Sequence, residues 1–127
     1  MAFINSGLEE ALPQDDQLAS VIAHELAHVV LGHSKENTDS TTRARMEREA
    51  DALGVRLSLR AGFDPNAAAR AIEVIGGRAR GPITRLLGLY GDHMPTPQRK
   101  SFLLEEAIAA RQEQAAERKG GSDPVQP

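Results

Sequence analysis

The chain has 127 residues, of which 40% are hydrophobic and 26% charged, and a formal net charge of −3. That length suits one domain with its own core, and the mild acidity argues against a nucleic-acid binder held by phosphate contacts. With no cysteine and 3% aromatics, it can have neither disulfides nor thiolate chemistry, and a core of alanine and aliphatic residues favours packed helices.

At the N-terminus, Phe3-Ile4 is a short apolar stub that reads as a strand end, turning at Asn5-Ser6-Gly7. Glu9, Glu10, Asp15 and Asp16, with no basic stretch before them, argue against a secretory signal. No apolar run reaches the ~20 residues needed to cross a bilayer. Asp15 or Asp16 is expected to cap a helix over 15–31 in which Leu18, Ile22, Leu26 and Val29 form an apolar stripe and Gly32 is the stop. Asp39, Ser40 or Thr41 caps a second helix running to about Ala61, with Leu53, Leu57 and Ala61 on one face and Gly62 at its end. Asp64-Pro65 opens a third helix to about Ile75, closed by Gly76-Gly77. Residues 76–95 read as a long loop with one short helix from Pro82 to Leu87, and loops of this length are often functional. Thr96-Pro97 starts a last helix that fades into Arg111–Lys119, and residues 120–127 read as a flexible tail. The expected fold class is mainly α, with residues 1–119 forming one domain.

The chemistry is concentrated in His24-Glu25-Leu26-Ala27-His28. At about 100° per residue, positions 24 and 28 lie only ~40° apart around a helix, so both imidazoles can reach one metal ion. Glu25, ~100° from His24, can reach a metal-bound water rather than the metal. Two neutral nitrogens, a carboxylate and an open position suit a catalytic Zn²⁺, one per chain. The apolar flanks Val21-Ile22-Ala23 and Val29-Val30-Leu31 imply a largely buried helix, where unsatisfied polar side chains would cost several kcal/mol. A chance His-x-x-x-His on a solvated helix face is the competing reading.

The third ligand is open at this level. His33 would lie ~140° beyond His28 on a continued helix, and it misses the metzincin spacing, so it reads as a helix-end or structural histidine. In the second helix Glu47 and Asp51 are four apart and share a face, so one can bind metal while the other orients a ligating imidazole. Glu49, ~200° from Glu47, would look outward. Helix geometry alone prefers Glu47 to Glu49 only slightly.

These residues together resemble the gluzincin metallopeptidases, in particular the HtpX/Oma/CAAX-protease group and its small relatives, the minigluzincins. Leu18 to His33 is similar to that family's active-site helix and Glu47 to Gly54 to its second motif. Leu59-Arg60-Ala61-Gly62-Phe63-Asp64-Pro65 is similar to the turn that follows, and His93 through Arg99 to a later His/Arg segment. The resemblance implies a zincin-like helical core and zinc held by His24, His28 and Glu47, with Glu25 as general base in peptide-bond hydrolysis. It also implies Asp51 as the partner of a ligating histidine, His93 as oxyanion donor or as a self-inhibiting fourth ligand, and Arg99 as the anchor of the late segment. Met94 stands where the family usually has proline. Relatives carry a sheet ahead of the active-site helix whose edge strand holds substrate. Here only Phe3-Ile4-Asn5 could supply it, so the domain is expected to be N-terminally abbreviated, with that stub as a possible pairing edge for a second copy.

The leading expectation is therefore a zinc-dependent endopeptidase acting on a peptide or protein substrate, with no nucleic-acid partner. Tyr90, the sole tyrosine, is a lesser candidate for the oxyanion. Two alternatives stand beside it: a latent or non-catalytic zinc domain in which His93 closes the metal site, and a metal-free helical interaction module. The chain is expected to be soluble, either cytoplasmic or a fragment of a bacterial envelope protease.

Overall fold

Four stretches of the chain have the capping residues and small-residue content to pack as helices, and the computed structural model forms a helix from each. It describes residues 14–34, 36–77 and 97–120. The helices are α1 (Asp15–Val30), α2 (Ser40–Arg60), α3 (Ala67–Gly77) and α4 (Pro97–Gly120), and no strand occurs among the described residues. The fold is mainly α, consistent with a zincin-like core. The Phe3-Ile4 stub, the Pro82–Leu87 helix, Tyr90, His93 and the tail beyond 120 lie outside the described residues.

The helix ends follow local rules. Asp39 caps α2, its carboxylate accepting a hydrogen bond from the Thr42 N–H at 2.7 Å. α1 differs from expectation: Gln14 is the N-cap and makes no side-chain cap bond, while Asp15 and Asp16 sit in the first turn, where their charge suits the helix dipole. α1 and α2 both end on a left-handed glycine, Gly32 at φ 69° and Gly62 at φ 91°. After each glycine the next residue's N–H reaches back five residues, His33 to the His28 carbonyl and Phe63 to the Ser58 carbonyl, both at 3.0 Å. Asp64-Pro65 is a turn rather than a first helical turn: the Asp64 side chain accepts from the Asn66 N–H, and α3 begins at Ala67. α3 also continues through Gly76 and Gly77 instead of stopping before them. α4 begins at Pro97 and stays helical through the charged Arg111–Lys119 stretch.

α1 and α2 run antiparallel: His28 lies opposite Glu47, His24 opposite Asp51, and Ala23 opposite Gly54. α4 runs parallel to α2, with Arg99 at Asp51, Glu106 at Arg56 and Glu117 at Arg60. α3 fills the remaining side, against α1 and α4. Val55, Ala69, Ile72, Leu103, Ala107 and Ala110 form the apolar core where α2, α3 and α4 meet. No helix among the described residues is long and apolar enough to cross a membrane.

The buried faces of α1 and α2 are not the apolar stripes expected from periodicity. In α1 the inner face is Gln17, Ser20, Val21, Ala23, His24 and Ala27, whereas Leu26 and Val29 are 44% and 54% exposed. In α2 the inner face is Met46, Ala50, Asp51, Gly54, Val55 and Ser58, and Leu53 and Leu57 are only half-buried. The reason is proximity. Small and polar residues face inward because the two helices press together there, leaving no room for leucines.

Candidate metal centre

The site is built at the closest approach of α1 and α2. A Cβ placed on Gly54 would stand 3.1 Å from the His24 Cα and 3.2 Å from its backbone N, so only glycine lets the helices meet at this spacing. Ala23, Ala27 and Ala50, all buried, keep the rest of the seam thin. Helices that touch backbone to side chain in this way bring residues of one within reach of short carboxylates on the other.

Three side chains converge there. His24 Nε2 lies 3.2 Å from Glu47 Oε2, His28 Nε2 lies 3.1 Å from Glu47 Oε1, and the two imidazole Nε2 atoms are 3.1 Å apart. Four-residue spacing places both histidines on one face of α1, and the rings meet edge to face at a centroid separation of 4.7 Å. These three residues are the group among the described residues that could hold a metal ion. The donor set fits zinc. Tetrahedral Zn²⁺ with nitrogen and oxygen ligands at about 2.0–2.1 Å spaces its ligand atoms about 3.3 Å apart, close to the separations found here.

Behind the triad, His24 Nδ1 lies 2.9 Å from Asp51 Oδ1. Arg99 clamps that carboxylate from α4, its Nε donating to Oδ2 and its Nη2 to Oδ1, both at 2.8 Å. Asp51 and His24 are 4% and 5% exposed. Burial alone would lower the His24 pKa, but hydrogen bonding to Asp51 and Glu47 outweighs it and holds the imidazole above its ordinary value. Burial would likewise raise Asp51, yet hydrogen bonds from Arg99 and His24 hold its carboxyl below the usual range. With the Asp51 carboxylate 2.9 Å from Nδ1, Nε2 is the His24 nitrogen left to face Glu47 and to meet a metal ion.

Glu25 follows His24 on α1 and is half-buried. Its Oε1 is buried and has no hydrogen-bond partner among the described residues. A buried acceptor without a donor is costly, and a water held at the site would supply one.

One residue, His33, lies elsewhere than helix angles predict. Projecting α1 onward put His33 on the far side from His24, but the helix ends at Val30 and Gly32 turns the chain back. His33 Nδ1 is consequently 2.9 Å from His28 Nδ1. Glu49 is exposed, as expected, and from there its Oε1 lies 3.0 Å from His33 Nε2. The signal was present in Gly32, the helix stop, which invalidates any angle computed beyond it.

Comparisons with known proteins agree with this geometry. Residues 8–70 match the family model of the IrrE N-terminal-like domain, Peptidase_M78. Over 143 aligned residues the chain is 29% identical to the mitochondrial metalloendopeptidase OMA1 of Schizosaccharomyces pombe, which takes in 87% of this chain and 42% of that protein. The chain thus spans less than half the length of that curated relative. No solved structure matches. Both similarities are to peptidases, one of them a metalloendopeptidase, and neither confirms the narrower grouping with HtpX and the CAAX proteases.

Proposed function

We propose that this chain is a zinc-dependent endopeptidase of the gluzincin type, with His24, His28 and Glu47 as the residues that hold the metal. The observation that carries the reading is the convergence of three side chains from two helices at 3.1–3.2 Å, backed by a buried carboxylate beside one imidazole. Zinc bound there would act as a Lewis acid, lowering the pKa of a coordinated water and polarising the scissile carbonyl.

The chain's own residues supply the remaining work. Glu25, with one carboxylate oxygen buried and unpartnered, takes the proton of the attacking water and delivers it to the leaving amine. Asp51 holds the His24 ring in the tautomer that presents Nε2, and Arg99 keeps Asp51 ionised and in place. In this reading His93 donates to the developing oxyanion or closes the fourth metal position, and a peptide or protein chain is the substrate.

Cleavage of a quenched fluorescent casein, measured beside bound zinc, tests the proposal. Glu25→Gln should keep one zinc per chain and lower the rate by about 10²–10⁴-fold, the usual contribution of a general base. Full hydrolysis by that variant would remove Glu25 from the mechanism. His93→Ala distinguishes the two roles of that histidine: a lower rate marks an oxyanion donor, and a higher one a self-inhibiting ligand.

A further inference from the structure

The second metal histidine has a support of its own, distinct from the Asp51–Arg99 clamp. His28 Nδ1 faces His33 Nδ1 at 2.9 Å, and His33 Nε2 faces Glu49 Oε1 at 3.0 Å. The geometry points to Glu49 and His33 as a positioning relay for His28, a role that rests on the zinc reading above.

The direction of the protons follows from the acceptor at the outer end. A carboxylate only accepts, so the Glu49 oxygen at 3.0 Å requires a proton on His33 Nε2. In a neutral His33 ring, Nδ1 then carries the lone pair. Its neighbour His28 then donates from Nδ1, which keeps Nε2 of His28, the nitrogen that faces Glu47 and His24, available to the metal. The opposite arrangement sets a lone pair of His33 against the Glu49 carboxylate and puts a proton on the nitrogen that has to bind metal. Each metal histidine thus has a partner at Nδ1, His24 the Asp51 carboxylate and His28 the His33 imidazole backed by a carboxylate.

Backbone geometry builds the relay. The His33 N–H donates to the His28 carbonyl at 3.0 Å, a bond available only because Gly32 takes a left-handed conformation. That bond sets the two rings edge to face, 5.1 Å between centroids. The His33 side chain is 9% exposed and Glu49 43%, so the relay runs from solvent inward to the site. Arg45 adds an exposed contact to Glu49 at 3.4 Å, one turn earlier on α2. Such a contact steadies the carboxylate but contributes little to stability.

The test combines zinc affinity, by competition with a chromophoric chelator, with the His28 tautomer, by long-range ¹⁵N–¹H NMR on the metal-free protein. His33→Ala should weaken zinc binding about 10–100-fold, as loss of an outer partner of a ligating histidine does, and His28 should lose its fixed Nδ1–H form. His33→Asn, whose amide oxygen can replace the Nδ1 acceptor, should recover most of both. Glu49→Ala, at a partly exposed position that carries no core packing, should move both readouts in the same direction by a smaller factor. Wild-type affinity and an unchanged His28 tautomer in His33→Ala and Glu49→Ala would overturn the relay. A wild-type chain that binds no zinc would overturn the metal reading instead, and the tautomer measurement would still decide the relay.

Discussion

α2 makes two seams, one with α1 and one with α4. On the α1 side the buried groups are His24 and Asp51 among alanines, with Gly54 against the His24 backbone. On the α4 side they are Val55, Leu103, Ala107 and Ala110. That second seam is rimmed by Arg56 paired with Glu106 and Glu113, and by Arg60 paired with Glu117. The apolar seam draws on a non-directional force and tolerates repacking of similar volume. The polar seam cannot do so, because each buried donor needs its acceptor within hydrogen-bond distance. Apart from Arg99, which reaches from α4 to Asp51, one helix therefore carries stability on one face and chemistry on the other, and the two should separate under mutation.

The largest effect is expected from Asp51→Ala. It leaves Arg99, 11% exposed at its side chain, without its buried carboxylate, and frees the His24 ring. Loss of about 3–5 kcal/mol of stability is expected, as for breaking a buried pair, together with a 10–100-fold loss of zinc affinity. Leu103→Ala comes next and breaks the comparison from the other side. Emptying this 2% exposed position should cost about 2–5 kcal/mol in thermal or denaturant unfolding, with zinc affinity of the folded protein unchanged. A Leu103 variant that loses zinc affinity while folded would show the seams to be coupled.

The smallest effect is the pH response of the metal-free protein. Asp51 is depressed, by Arg99 first and His24 second, and His24 is raised by Asp51 and Glu47, so the His24–Asp51 contact they share is counted once. The carboxylate's share is complete above its ordinary value of 3.8 and is lost as pH falls through the depressed folded value. The imidazole's share is complete below 6.5 and is lost as pH rises through the raised folded value. Unfolding measured against pH should show this pair's contribution greatest between those limits. The same profile in Asp51→Ala should be flatter at both ends.

How much of this was legible in the sequence differs between the seams in the same way. The four described helices, the Asp39 cap, the stops at Gly32 and Gly62 and the proline start of α4 are local features, and composition and punctuation display them. So is the His24/His28 face, because four-residue spacing fixes it without any partner. The inward faces of α1 and α2 were not legible. Hydrophobic periodicity assigns burial to leucines and valines, whereas here the close approach permitted by Gly54 buries histidine and aspartate and leaves Leu26, Val29 and Val30 exposed. The choice between Glu47 and Glu49 was equally undetermined by helix angle. It depends on which side of α2 meets α1, and the structure gives Glu47 to the triad and Glu49 to His33.

The central claim is that α1 and α2 are joined through a zinc site made by His24, His28 and Glu47. Metal analysis of the chain purified without chelators, beside Glu47→Ala prepared identically, tests it most directly. One zinc per chain is expected in the wild type, and a near-complete loss in Glu47→Ala with helical content retained. Substoichiometric zinc in the wild type, or full zinc in the Glu47 variant, would contradict it.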